Sequence, residues 1–303
     1  MNIVGNYRVR TTGQVVRHVF AEVVCVGAVV LLARGAAAQN LFEADLNSSN
    51  IFEFTSSGTQ STYASLQAVP WGLAFDSAGD LFVSEPNAAK IIEITSGGTQ
   101  ITFATNINAY GLAFDSAGNL FVGSGSSYIA KFTPGGIRTN FATGLTGPMS
   151  LAFDRAGNLF DADINSGNIY EFTPDGTRST YASGFTTPHG IALDSAEDVF
   201  VANGYSGGSI VEVTPSKTTN VVESGLNYPV GLAFDSAGNL YESDFWSNKI
   251  LEFGTNGVES TFASGLNDPA GLAFQIVPEP SAFGLLAMGA GAVLVCARRR
   301  NVR

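Results

Sequence analysis

Charge is scarce in this chain: 14% of its 303 residues are Asp, Glu, Lys or Arg, where about 25% is usual. That shortage excludes coiled coils and long solvent-facing helices, and a hydrophobic content of 45% excludes an intrinsically disordered chain. Cysteine occurs twice, as Cys25 and Cys296, close to the two ends. Residues 39–277 therefore hold no disulfide, thiolate metal site or cysteine nucleophile. Histidine also occurs twice, and only His189 falls in that central stretch, so no histidine cluster can ligate a metal there. Basic residues are few: the stretch has seven against 24 acidic ones, a net charge of −17. A surface of that sign repels polyanions, which excludes nucleic acid as a partner.

Long apolar runs occur only at the two ends. Arg8, Arg10 and Arg17 precede an apolar run from Val23 to Ala33, and Ala36-Ala37-Ala38 follows. That order predicts a secretory signal peptide over residues 1–38, with Ala36 and Ala38 marking the cleavage site. Glu22 and Arg34 flank the apolar run awkwardly, so an uncleaved anchor stays open as the alternative. At the other end, Pro278-Glu279-Pro280 leads into the uncharged run 281–297 and then Arg298-Arg299-Arg300. Seventeen residues at ~1.5 Å each span about 25 Å, enough for a short transmembrane helix. The arginines would hold its C-terminal end in the cytoplasm.

These three parts, in this order, resemble the PEP-CTERM sorting signal of Gram-negative bacteria, over residues 277–303. The resemblance implies recognition and removal of the tail by an exosortase in the inner membrane. It also implies delivery of the body by the secretion machinery to the cell surface or exopolysaccharide matrix, with exopolysaccharide or envelope proteins as partners. The membrane is then a transient partner, held only through the C-terminal helix.

Between the ends lies a tandem repeat. GLAFDSAG stands at 72–79 and 111–118, with variants starting at Ser150, Gly190 and Gly231 and a truncated GLAF at Gly271. Three more strips recur in register, typified by LFEAD at Leu41, IFEFT at Ile51 and STYAS at Ser61, and each occurs six times. All are short, rich in Phe, Ile, Val, Tyr and Thr, and bounded by Gly, Asp, Asn, Ser or Pro, the pattern of strands and turns. Four strands per ~40 residues is the period of a β-propeller blade. The GLAF alternation predicts Gly and Ala on one side, with Leu and Phe nesting on the small residues of the adjacent blade.

The body opens on the second strip and ends on the first, so the final GLAF should complete the first blade and close the ring. The expected fold is all-β: a six-bladed β-propeller of four-stranded blades over residues 39–276, with both terminal helices outside it. Glu197 replaces the turn glycine in the fifth copy, which predicts a strained or reshaped turn.

The order Pro-x-Gly-Leu-Ala-Phe-Asp, Gly-Asn-Leu-Phe-Val-x-Asp, Asn-x-Ile-x-Glu-Phe resembles NHL repeats and the related gluconolactonase-like and streptogramin-lyase-like propellers. The resemblance implies that the residues preceding the inner-strand glycines ring the mouth of a central channel. In gluconolactonase-like enzymes Glu, Asn and Asp there hold a divalent cation that activates water. Here the six positions are Trp71, Tyr110, Met149, His189, Val230 and Ala270, none a carboxylate or amide. The expectation is therefore a non-catalytic binding or structural module without a cofactor. A secreted hydrolase or lyase using His189 is the alternative, because streptogramin-lyase-like propellers carry a functional histidine in a similar Pro-His-Gly setting.

Two other patterns bear on a site. Glu43/Asp45, Asp161/Asp163 and Glu242/Asp244 are acid pairs at spacing two, each projecting from one side of its strand. Closure makes copies one and six neighbours, which suggests four carboxylates in one sector and a Ca²⁺ site. The competing reading is that these acids bond turn backbone. The loops on one face of the ring carry Trp71, Tyr110, Tyr128, Tyr205, Phe245 and Trp246, rings suited to sugar or peptide ligands.

Overall fold

The computed structural model describes residues 39–275. The signal segment with Ala36 and Ala38, and the tail with Pro278, Glu279, Pro280, the run 281–297 and Arg298, Arg299 and Arg300, lie outside the described residues. Within the body the strips are strands, in chain order. They are β1 (Leu41–Asp45), β2 (Asn50–Phe54) and β3 (Gln60–Ser65), then β4 (Leu73–Phe75), β5 (Leu81–Glu85), β6 (Lys90–Ile94) and β7 (Gln100–Thr105). The third and fourth copies give β8 (Leu112–Phe114), β9 (Leu120–Gly123), β10 (Tyr128–Phe132), β11 (Arg138–Thr143), β12 (Pro148–Phe153), β13 (Leu159–Asp163), β14 (Asn168–Phe172) and β15 (Arg178–Ser183). The last two give β16 (Pro188–Leu193), β17 (Val199–Asn203), β18 (Ser206–Val213), β19 (Thr219–Asn227), β20 (Pro229–Phe234), β21 (Leu240–Asp244), β22 (Lys249–Phe253), β23 (Glu259–Ser264) and β24 (Pro269–Phe274). Among the described residues no helix is long and apolar enough to cross a membrane.

These strands make six four-stranded sheets, and β24 joins β1–β3 as the innermost strand of blade 1. The closing ladder pairs Leu41 with Phe274 and Glu43 with Leu272. Gln39 reinforces it, accepting the Ser236 N–H of blade 6 at 2.8 Å and donating to the Gln275 carbonyl at 3.3 Å. Closure leaves β1 no free edge at the seam.

Alternation in GLAF works as expected and is reinforced by aromatic rings. Leu73 and Phe75 pack back onto blade 1, beside Phe42 and Ala44. In five of the six blades the second-strip aromatic meets the GLAF phenylalanine of the next edge-on, Leu193 taking that place opposite Phe160: Phe42 with Phe75 at 4.8 Å, Phe82 with Phe114 at 5.0 Å, Phe121 with Phe153 at 5.0 Å. Phe200 with Phe234 and Tyr241 with Phe274 repeat it. Such contacts add roughly 0.5–1.5 kcal/mol each beyond burial.

The turn that follows GLAF is also uniform. Asp76 Oδ1 accepts the N–H groups of Ala78 and Asp80, and the glycine that follows takes φ of 78–89° in four copies. Glu197 occupies that position in blade 5 at φ 67°, so the turn keeps its shape and the side chain carries the strain. Its contact with Arg155 at 3.4 Å is exposed and offsets little of that. Glu197→Gly is expected to stabilise the protein by about 0.5–1 kcal/mol in urea denaturation. An unchanged or lower midpoint would show that the turn is unstrained.

Candidate functional site

The six inner strands bring their glycines within contact of the next blade's backbone. A Cβ built on Gly72, Gly190, Gly231 or Gly271 would lie 2.1 Å from the carbonyl oxygen of Tyr110, Val230, Ala270 or Trp71 respectively. Gly111 has the same relation to Met149, at 2.6 Å. Blade 4 has Ser150 instead, whose hydroxyl accepts the Ile191 N–H of blade 5 at 3.2 Å. The hub is therefore narrow. Its channel encloses about 90 Å³, room for roughly three waters at about 30 Å³ each. Its wall is formed by the six inner strands, with Gly72, Gly111, Ser150, Gly231 and Gly271 among the lining residues, and more of it is polar than apolar.

At the mouth, the ladders of β12, β16, β20 and β24 each bulge just past the leading proline. Bulges re-aim side chains. Met149, His189 and Val230 line the channel together with Trp71. Ala270 packs with Leu46 and Val230 beneath Trp71, Tyr228 and Phe245. Tyr110 sets its ring edge-on to Trp71 at 5.5 Å and lies flat enough on Gly125 to exclude a Cβ there.

His189 is 3% exposed, and neither of its ring nitrogens has a hydrogen-bond partner. Burial drives its pKa down to about 4, outweighing an opposing effect of the Thr187 backbone. The imidazole is thus neutral at physiological pH, with no carboxylate to orient it. Its neighbours are rings: Tyr228 edge-on at 4.7 Å and Tyr205 at 5.4 Å.

Tyr228 sits at the centre of an aromatic cluster. Besides His189 it contacts Tyr205 at 4.9 Å, Trp246 at 4.8 Å and Phe245 at 5.0 Å. Its backbone is held at φ 71°, costly for an aromatic residue. Two bonds hold it there: its N–H donates to the Tyr205 carbonyl, and the Phe245 N–H donates to its own carbonyl, both at 3.1 Å. Burial, then the nearby Tyr205 and Tyr110, push its hydroxyl up to about 12.

Phe245 and Trp246 stand on a single 3-10 turn, Phe245–Ser247, closed by Asn248 in the left-handed region. Of the rings expected on this face, the structure thus gathers Tyr205, Phe245 and Trp246 around Tyr228, and of these Tyr205 also meets His189. Trp71 and Tyr110 form a second pair across the mouth. Tyr128 is held apart by Arg138, whose guanidinium donates to its hydroxyl at 2.8 Å. Tyr228 was not among the sequence candidates, although its place before Pro229, level with the mouth, is a signal that could have found it.

The acid pairs divide by role. Asp45 accepts the N–H groups of Asn267 and Ser48, and Asp244 accepts that of Asn227. Asp163 accepts the N–H groups of Thr146 and Ser166 and the Thr146 hydroxyl. Burial raises the Asp163 pKa, but these bonds outweigh it and leave the carboxyl below its ordinary range. Asn203 does the same for Thr186. These side chains pin the loops that enter the inner strands.

Glu43, Asp161 and Glu242 are fully buried, and no oxygen of theirs has a partner. Burial, then the neighbouring Asp45, Asp163 or Asp244, raises each well above the usual carboxylate range. Each faces the preceding blade. Glu43 lies beside Leu41 and Leu272 against blade 6, Glu242 beside Leu240 and Leu232 against blade 5, and Asp161 beside Leu159 and Leu151 against blade 3. The four carboxylates expected in one sector thus occupy successive clefts instead of a shared one. Among the described residues no group of three or more acidic, His or Cys side chains could hold one metal ion. Ca²⁺ requires six to eight oxygens, and this donor set does not fit it.

The chain can now be set beside known proteins. Residues 277–300 match the PEP-CTERM protein-sorting motif. No curated protein matches the chain significantly. Among solved structures, a chain of the nidogen/laminin complex is similar with a TM-score of 0.71 at 21% identity, covering 78% of this chain and 98% of that one. A catalytically inactive virginiamycin B lyase from Staphylococcus aureus, crystallised with quinupristin, gives 0.62 at 16% identity, covering 80% and 94%. A putative gluconolactonase gives 0.57 at 15%, covering 65% and 79%. At these identities the likeness is one of fold. The chain therefore carries, behind a six-bladed β-propeller body, a PEP-CTERM protein-sorting motif, which implies export and exosortase-type processing.

Proposed function

We propose that this protein is a non-catalytic extracytoplasmic binding propeller, sorted by its tail to the cell surface or exopolysaccharide matrix. The observation that carries the reading is the composition of the hub. A mouth ringed by Trp71, Tyr110, Met149, His189, Val230 and Ala270 offers no carboxylate or amide ligand for a water-activating metal. A channel of about 90 Å³ falls well short of the ~300–1,000 Å³ of ordinary ligand pockets. A neutral histidine walled in by tyrosines lacks a partner for acid–base work. Net charge of −17 in the body suits a soluble exported surface.

The lyase-like neighbours keep a second reading in view, in which His189 serves a hydrolase or lyase. Full-length protein and a Glu279→Ala variant should be followed by cell fractionation. The wild type is expected at the surface or in the matrix, and the variant to be retained in the membrane fraction. Purified protein screened against lactones, esters and quinupristin is expected to show no turnover. Turnover abolished by His189→Ala would replace this reading with the enzymatic one.

A further inference from the structure

We propose that Tyr205 and Trp246 form a stacking subsite for an uncharged saccharide ring, an inference that rests on the binding-module reading and names its ligand class. Among the described residues these are the two exposed aromatic side chains, at 45% and 49%, and they are neighbours. Their rings are nearly parallel, at 20°, with centroids 6.1 Å apart. Contiguous exposed apolar surface is a feature of interaction sites.

The pair is also built to stay in place. Tyr228 contacts both rings, and its strained backbone is bonded to the Tyr205 loop and to Phe245. Trp246 is fixed on its 3-10 turn by Asn248, whose side chain accepts the Asp268 N–H at 3.0 Å. A pre-ordered platform forfeits little entropy when a ligand docks.

Charge decides the chemistry of the occupant. In a body of net charge −17, Lys131, Arg138, Arg178 and Lys217 stand over other rings, and no such cation–π pair involves Tyr205 or Trp246. Among the described residues, then, no lysine or arginine stacks on either ring of the platform. The polar groups of the pair itself, the Tyr205 hydroxyl and the Trp246 indole N–H, are a donor–acceptor and a donor of the kind sugar hydroxyls can pair. Flat, weakly polar ring faces beside neutral hydrogen-bonding groups fit a neutral sugar, with its apolar C–H face and rim of hydroxyls.

The platform also has an orientation. It lies where the second strands end and the inner strands begin. Gln275, from which the chain continues to the sorting motif, lies at the opposite end, bonded through its N–H to Asn40. The rings therefore face away from the point of attachment.

The test is native affinity electrophoresis of the full-length chain in a polyoxyethylene detergent. Gels should contain laminarin, hydroxyethylcellulose, dextran or galactomannan, with alginate as the anionic arm. Retardation is expected in at least one neutral glycan and not in alginate alone. Trp246→Ala should weaken it roughly tenfold or more, about 1.4 kcal/mol, with Trp246→Phe retaining most of it and Ile137→Ala, at an exposed site elsewhere, unchanged. No retardation in any neutral glycan, retardation only in alginate, or retardation indifferent to Trp246→Ala would each overturn the proposal. So would capture of an envelope protein through Trp246 without glycan binding. Fractionation results bear on the sorting reading alone, so the two can fail separately.

Discussion

Gly271→Ala is expected to cost the protein at least about 3 kcal/mol, among the largest effects of any single methyl group in this fold. Its Cβ would stand 2.1 Å from the Trp71 carbonyl oxygen and 3.2 Å from the Gly72 Cα, both backbone atoms of blade 2. Neither can swing aside. The Trp71 N–H is bonded to the Ser84 carbonyl at 2.9 Å, and the Trp71 carbonyl accepts the Gly271 N–H at 3.0 Å. Relief must come from parting blades 1 and 2, which breaks that bond and opens the cluster around Leu73 and Phe75. The other escape is to peel β24 off β1, which leaves an unpaired inner edge and a route to aggregation.

Urea denaturation read by tryptophan fluorescence, with light scattering alongside, should show both the lower midpoint and the association. Gly97→Ala is the control: its φ is ordinary and its nearest neighbour is a threonine hydroxyl at 3.8 Å, so a change within about 0.5 kcal/mol is expected. Equal stability of the two variants would mean that the hub glycines are not required for close approach.

The repeat made most of this architecture readable in advance. Four strips at one spacing define the blade, and a body that begins on one strip and ends on another defines the closure. Period two assigns each side chain a face, and Leu73 and Phe75 lie where that rule puts them. The same rule does not give depth or partners. Glu43 and Asp45 share a side of β1, yet one sits unpartnered among leucines and the other staples a loop. Nor does adjacency of copies imply convergence: each blade turns its acids toward the preceding blade, so Glu43 and Glu242 enter different clefts.

The aromatic face was legible in outline only. Which rings meet depends on bulges at the starts of β16 and β20 and on a left-handed Tyr228. No propensity assigns that conformation to tyrosine; it is imposed by bonds from two neighbouring loops.

Asp161→Val should raise stability at neutral pH by about 1–3 kcal/mol, the cost of a buried polar group without a partner. For a body of this size that corresponds to a melting temperature higher by several degrees, at about 2–4 °C per kcal/mol. The equivalent positions in blades 2, 3 and 5 are already Val83, Val122 and Val201, all fully buried, so the pocket shape is one the fold uses repeatedly.

The effect should depend on pH with a definite sign. Burial, then Asp163, raises the Asp161 pKa in the folded state, against a smaller opposing pull from Arg178. The folded protein thus binds this proton more tightly than the unfolded chain. The resulting stability is complete below the unfolded value of about 3.9 and is lost as pH climbs toward the folded one. The wild type is therefore expected to weaken from mildly acidic to alkaline pH, and Asp161→Val to weaken less. Asp161→Asn separates the two contributions. It removes the titration while leaving an unpartnered polar group, so its pH profile should flatten like that of the valine variant without the gain at acidic pH. Calorimetry of the three proteins between pH 5 and 8 reads both quantities, and a valine variant with the wild-type slope would show that Asp161 remains ionised in the fold.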